Sequence, residues 1–202
     1  MIRIDYLITG SNGFVGAELC RNLLNQNKQI KDVRRSSKGE HRYTIPSLDH
    51  NTDWQDLLSD VETVVHLAAR VHVMDERSED PLSEFRKINV EGTRKLALQA
   101  VESGVKRFIF ISSIKVNGEF TEDSPFSEEM KKVPLDPYGL SKWEAEELLR
   151  EIEKESEMEV VILRPPLIYG PGVKANFLKL IETIDKGVPL PLGSIKNSRS
   201  LI

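Results

Sequence analysis

The sequence predicts an α/β fold, a doubly wound parallel sheet with helices on both faces. Short apolar runs of strand type alternate with helical patterns along the chain, as in a sheet built from βαβ units. The first apolar run ends in glycines at positions 10, 13 and 16 and leads into Ala17 to Leu24, whose apolar residues have helical spacing. No internal repeat, low-complexity tract or clear linker interrupts this alternation.

Taken in order, Ile2 to Thr9 reads as the first strand and Gly13 to Asn25 as the first helix. Gln29 to Val33 reads as a second strand, running into Arg34-Arg35-Ser36-Ser37. Lys38 to Leu48 is polar and irregular, with room for a short strand from His41 to Ile45. Trp54, Leu57 and Leu58 suggest a short helix capped by Asp53. Val61 to Ala69 reads as a buried strand, Ser83 to Gly104 as a helix, and Arg107 to Ser113 as another buried strand. The helix would turn Phe85, Ile88, Leu96, Ala97 and Ala100 inward. Ile114 to Pro137 is a long loop rich in acids and prolines, of the kind that often carries function. Tyr138 to Glu155 reads as a helix opened by Pro137, Glu159 to Leu163 as a strand, and Asn176 to Lys186 as a helix. Turns follow from Gly187 to Gly193.

Composition narrows the function. A chain of 202 residues, 39% hydrophobic and 30% charged, has the makeup of a globular protein with a full core. Its net charge of −4 gives no reason to expect a nucleic-acid partner. Cys20 is the single cysteine, which excludes an internal disulfide. No membrane-length apolar run or signal pattern is present, so the expectation is a reduced, cytoplasmic protein without a membrane partner. No metal site is expected.

The glycine segment is the arrangement that cradles a pyrophosphate at a helix start. Gly10 permits the sharp turn, Gly13 lets backbone approach phosphate, and Gly16 lets helix and strand pack closely. A glycine triad alone also occurs in ordinary strand-to-helix turns. Ser113 closes a strand at the carboxyl edge of the sheet, where open α/β folds bind ligands. Tyr138 and Lys142 project from one helix face. A lysine there favours the phenolate, which could exchange a proton with a sugar or alcohol hydroxyl that Ser113 holds in line. Singly, each residue has a plain reading: a turn former, or a surface pair. The order of all three behind a glycine loop points to catalysis.

These residues resemble the extended short-chain dehydrogenase/reductases, the NAD-dependent epimerase/dehydratase family. The resemblance rests on Thr9-Gly-Ser-Asn-Gly-Phe-Val-Gly16, His66-Leu-Ala-Ala69, Asn89-Val-Glu-Gly-Thr93, Ser113, Tyr138-Gly-Leu-Ser-Lys142 and Arg164-Pro-Pro-Leu-Ile-Tyr-Gly-Pro-Gly172. It implies a Rossmann domain over residues 1–164 and the start of a substrate-binding domain over 165–202. Family members run on for roughly a further hundred residues, so a truncated chain is expected. Ser113, Tyr138 and Lys142 fall on the catalytic triad, and the 25 positions between Ser113 and Tyr138 favour Ser113 over Ser112. Gly10, Gly13, Phe14, Val15 and Gly16 fall on the pyrophosphate loop, and Ala68 and Ala69 on the cofactor-facing strand end. Asn89 matches a helix asparagine that supports the active site, Lys142 also contacts the nicotinamide ribose, and Pro165 sits near the nicotinamide in relatives. Asn176 and Arg199 match positions that hold a substrate's nucleotide diphosphate, and Ser113 also contacts substrate.

Departures from the family pattern sharpen this. Arg34 and Arg35 stand where NAD-preferring relatives carry an acid, which favours NADP(H) over NAD(H). Asp32, two positions earlier, restores NAD(H) if it occupies that place. Ile114 and Lys115 after Ser113 supply no acid pair for dehydration. Asn117 replaces a tyrosine common in relatives, and Leu167 an asparagine of several nucleotide-sugar enzymes. The expected function is a UDP-sugar 4-epimerase or 4-keto-sugar reductase in surface-polysaccharide sugar biosynthesis. The alternative is a non-catalytic NAD(P)-binding regulator. Relatives often form homodimers through a bundle that includes the Tyr-Lys helix.

Overall fold

The structure is a computed structural model describing residues 3–35, 43–71, 79–121, 124–129, 133–191, 193–195 and 198–202. Six strands form one sheet: β1 (Ile4–Thr9), β2 (Ile30–Arg35), β3 (Thr44–Ile45), β4 (Val61–His66), β5 (Arg107–Ile111) and β6 (Glu159–Leu163). All pairings are parallel and the order is β3-β2-β1-β4-β5-β6. The order reverses between β1 and β4, and at their carboxyl ends such sheets open a ligand crevice. The doubly wound Rossmann fold read from the sequence is the fold observed.

Strand alternation sends neighbouring residues to opposite faces of the sheet. Leu7, Val64 and Phe108 stand in register across β1, β4 and β5 and point into one core. That core is completed by α4 (Thr93–Glu102) and α5 (Pro137–Lys154), through Leu96, Ala97, Ala100, Ala145 and Leu149. Ile8 and Val65 point the other way, onto Cys20 of α1 (Phe14–Asn25). Cys20 is therefore a small buried residue, as its helical position suggested. Lys31 crosses the core edge, its Nζ donating to the carbonyls of Leu57 and Ser59 at 2.9 and 2.8 Å. These carbonyls close α2 (Gln55–Leu58), so the lysine satisfies groups that a helix end leaves unpaired.

Several boundaries differ from the sequence reading. The second strand extends to Arg35, because β3 supplies partners for Arg34 and Arg35 at Thr44 and Ile45. Residues 36–42, including the start of the strand expected from His41, lie outside the described residues. The cap position before α2 is Trp54 rather than Asp53, although Asp53 Oδ1 accepts from Gln55 N at 3.1 Å. β4 stops at His66 and β5 at Ile111, leaving Leu67 to Ala69 and Ser112 to Ser113 as strand-end loops. The helix expected over 83–104 consists of α3 (Pro81–Arg86), a π-helical segment (Lys87–Gly92) and α4. A 3₁₀ turn (Ile114–Val116) opens the long loop that precedes α5.

The described residues divide into two compact units, Met1–Arg164 and Pro165–Ile202. Within the second, α6 (Ala175–Asp185) has no buried residue. Leu201 forms a parallel bridge with Leu167, and backbone bonds join Tyr169 N to Ile202 O and Ile202 N to Leu167 O.

Candidate active site

The turn after β1 is fixed by its glycines. Gly10 has φ +69°, and a Cβ there would lie 2.8 Å from Ala68 N. A Cβ on Gly16 would run into the carbonyl of Gly10. Gly13 differs: its φ is −75°, and an added Cβ would meet only Gly10 O, at 3.1 Å. It caps α1 without a side-chain bond, and no acid occupies the first turn of that helix. The first-turn N–H groups of α1 and a helix dipole free of local negative charge therefore adjoin backbone that carries no side chain at positions 10, 13 and 16. This cradle fits a pyrophosphate.

Behind it lies a buried hydrogen-bond chain whose proton directions can be deduced. Thr9 Oγ1 accepts from Ala68 N at 3.2 Å and lies 2.7 Å from His66 Nδ1. Thr93 Oγ1 donates to Asn89 O at 2.8 Å and accepts from His66 Nε2 at 3.0 Å. The Nε2 atom of His66 therefore carries a proton, and with its pKa depressed the ring is neutral, leaving Nδ1 to accept from Thr9. Burial and the charge of Lys142 depress its pKa to about 3. The ring stacks on Phe110 with centroids 5.8 Å apart.

Asn89 carries the chain onward from the π-helical segment. Its Oδ1 accepts from Arg70 N at 2.8 Å, while its Nδ2 donates to Arg70 O and Ser141 Oγ, each at 3.0 Å. Ser141 in turn donates to Tyr138 O at 2.8 Å, inside α5. The asparagine therefore ties the loop after β4 to the helix bearing Tyr138 and Lys142.

Ser113, Tyr138 and Lys142 come together at the carboxyl ends of β4 and β5. Asp136 caps α5, its side chain accepting from Gly139 N at 3.0 Å, with Pro137 in the first turn. Ser113 lies beside the Tyr138 hydroxyl and lowers its pKa, and the Tyr138 ring meets Phe85 edge-on at 6.0 Å. Ser113 Oγ also accepts from Lys115 N at 3.2 Å, which starts the 3₁₀ turn. Lys142 Nζ donates to Ile111 O at 2.7 Å and lies 3.8 Å from the centre of the Phe110 ring.

The electrostatics differ from the sequence expectation that Lys142 favours the phenolate. Burial raises the Tyr138 pKa, neighbouring Ser113 lowers it, and Asp136 raises it. Lys142 is itself depressed to about 7 by burial, with Glu146 opposing. Its ammonium is spent on Ile111 O and Phe110, so the phenol stays protonated.

Glu146, Arg164, Thr9 and Thr93 form part of this assembly without having drawn attention as single residues. Glu146 had a readable signal, a carboxylate one turn beyond Lys142 on the same face. Asn117 proves buried and structural, donating to Ser127 O at 2.7 Å and accepting from Arg164 Nη1 at 3.2 Å. Arg34 forms an ion pair with Asp32 at 2.7 Å, and Arg35 is exposed. In the second unit Asn176 and Arg199 are exposed and Pro165 half-buried.

A glycine cradle on the first βα turn, with a Ser-Tyr-Lys cluster at the same sheet edge, marks a dinucleotide-dependent dehydrogenase-type fold. The model of the NAD dependent epimerase/dehydratase family matches residues 6–202, and the chain belongs to that family. It is 49% identical to a UDP-glucose 4-epimerase of Vibrio cholerae over 97% of this chain and 62% of that protein. Among solved structures, it is similar to UDP-glucuronic acid 4-epimerase from Bacillus cereus in complex with NAD. That likeness has a TM-score of 0.77 and 27% identity, covering 93% of this chain and 65% of the other. A second is MoeE5 in complex with UDP-glucose and NAD, with a TM-score of 0.76, 32% identity and coverage of 92% and 62%. The chain spans about 60% of the length of the curated relatives it matches. Among the described residues no helix is long and apolar enough to cross a membrane.

Proposed function

We propose that the chain is the cofactor-binding and catalytic part of a nucleotide-sugar 4-epimerase, acting on a UDP-linked hexose. The observation that carries this reading is the placement of Ser113 beside Tyr138, one helix turn from buried Lys142, at the sheet edge that holds the glycine cradle. Gly10, Gly13, Phe14, Val15 and Gly16 would hold the pyrophosphate, and Ala68, Ala69, Asn89 and Pro165 would border the nicotinamide half. The bound nicotinamide would supply hydride acceptance and return at the sugar carbon.

The protein residues do the rest. Tyr138, once it has lost its own proton to solvent, takes the proton from the sugar 4-hydroxyl as hydride leaves, and returns it after the keto sugar has turned its other face. Ser113 hydrogen-bonds the same oxygen and holds it in line. Lys142 must exchange Ile111 O for the cofactor ribose, bringing its charge toward the phenol. Asn176 and Arg199 would bind the diphosphate of the substrate. The NAD-bound neighbours and the Asp32–Arg34 ion pair support NAD(H), since the pair neutralises a guanidinium that a 2′-phosphate would need. NADP(H), favoured by the bare sequence, is the competing form, and titration with both dinucleotides decides between them.

The test is incubation of the chain with UDP-glucose or UDP-galactose and NAD, following the 4-position by NMR. Interconversion without net change at the reduced-nicotinamide band supports the epimerase. Stoichiometric oxidation of added NADPH by a 4-keto sugar would replace it with a reductase. Tyr138→Phe is expected to lower kcat by about 100-fold or more while keeping dinucleotide affinity. Full activity in that variant would favour the non-catalytic, regulatory alternative.

A further inference from the structure

Three successive turns of α5 meet the end of β5. Tyr138 lies beside Ser113, Lys142 donates to Ile111 O, and Glu146 accepts from Ser112 Oγ at 2.5 Å. Glu146 is fully buried, and a buried carboxylate requires compensation. It receives this from Arg164, whose Nε lies 2.9 Å from Oε1 and whose Nη2 lies 2.6 Å from Oε2. Arg150 Nη2 adds a contact to Oε2 at 3.1 Å. Arg164 also donates from Nη1 to Asn117 Oδ1 at 3.2 Å and to Glu128 O at 3.3 Å. One carboxylate thus joins α5, the end of β5, the residue after β6 and the long loop.

This arrangement exceeds what packing requires. A well-packed apolar residue of similar volume would often stabilise a core as well as a buried ion pair does. What the pair provides instead is register. Ser112 adjoins Ser113, and Glu146 lies one turn from Lys142, so the carboxylate is bonded beside one reactive residue and stacked beside another. The charges facing Lys142 come from the same small set of elements. Glu146 of α5 favours its ammonium, and neutral His66 of β4 adds no charge of its own.

We propose that Glu146 is a positioning residue, holding Ser113 and Lys142 in register with Tyr138 through Ser112 and Arg164. This rests on the catalytic reading of those three residues given above. When Lys142 leaves Ile111 O for a cofactor, the Ser112–Glu146 bond remains as the link between α5 and the end of β5. Its loss would therefore affect the chemical step more than substrate binding.

The test uses the full 202-residue chain with ¹³Cε-labelled lysine, so that the titration of Lys142 is followed by NMR alongside turnover. Glu146→Gln keeps an acceptor for Ser112 but removes the charge. It is expected to lower the titration of Lys142 by on the order of one pH unit. It should also reduce kcat about tenfold, with KM for the nucleotide sugar within about twofold. Ser112→Ala keeps the ion pair, and is expected to lower kcat similarly without moving the Lys142 titration. Glu146→Asp, retaining the charge, should recover the titration in part. A folded Glu146→Gln chain with unchanged Lys142 titration and wild-type kcat overturns the proposal. If that variant does not fold, wild-type kcat in folded Ser112→Ala overturns it. If the unmutated chain turns over no UDP-sugar, the epimerase reading fails, and the Lys142 titration still decides whether Glu146 acts on that lysine.

Discussion

Gly13 and Gly16 lie three positions apart in one turn yet serve separate needs, and single methyl groups distinguish them. At Gly16 a Cβ would collide with the backbone of Gly10, so Gly16→Ala should shift the turn and cost about 2 kcal/mol or more. At Gly13 the backbone suits any residue and only Gly10 O is near, so Gly13→Ala should cost under about 1 kcal/mol. Its methyl would, however, stand where a pyrophosphate approaches. The expected outcome is a nearly normal thermal midpoint for Gly13→Ala with dinucleotide affinity reduced at least about tenfold, measured by calorimetric titration. Unreduced affinity would remove Gly13 from the cradle. The neighbouring serines show how spacing and structure combine at this scale. Counting from Tyr138 selects Ser113, and the structure is in keeping with that choice: Ser112 is committed to Glu146, whereas Ser113 is the serine beside the Tyr138 hydroxyl.

At the level of elements, the single helix expected over 83–104 is interrupted by a π-helical segment. Apolar spacing conceals it, because Phe85, Leu96, Ala97 and Ala100 point inward on both sides of the break. Such segments often mark functional positions, and this one carries Asn89 and ends at Gly92, whose added Cβ would lie 3.0 Å from Leu48 O. β1, β4 and α4 are further joined by His66, through Thr9 and Thr93. Both of its nitrogens are committed in the neutral form, so a second proton would break the bond from Thr9. The native pKa is about 3 against an ordinary 6.5, so the unfolded chain binds more protons between those values. Stability from this group is complete above about pH 6.5 and is lost as pH falls toward 3, by on the order of 5 kcal/mol at most. Urea unfolding across that range should show this decline for the native chain and a shallower one for His66→Gln. Parallel slopes would place the acid sensitivity elsewhere.

For the molecule as a whole, the sequence revealed what local chemistry dictates and hid what depends on distant packing. The alternation of strands and helices, the turn at Gly10 to Gly16 and the placing of Tyr138 and Lys142 on one helix face all follow from short-range pattern. The bond from Lys142 to Ile111 O and the burial of Glu146 beneath Arg164 do not, because their partners lie 31 and 18 positions away. Arg34 illustrates the same limit: its charge was legible, but its pairing with Asp32 required the strand geometry. The two compact units also differ in what holds them. Both apolar cores are built wholly from residues before Pro165, and no described residue of Pro165–Ile202 is buried. The first unit therefore contains its own folding energy, together with the glycine cradle and the Ser-Tyr-Lys cluster. A chain ending at Arg164 should unfold cooperatively, with a midpoint within about 4 °C of the longer chain, because no core residue is removed. Its dinucleotide affinity should stay within about threefold, whereas UDP affinity should be lost if Asn176 and Arg199 bind the diphosphate. Thermal denaturation and calorimetric titration of the two chains check both halves of this expectation. Unimpaired UDP binding by the shorter chain would move the nucleotide site into the first unit, and a broad, non-cooperative transition would show that residues beyond Arg164 contribute to its core.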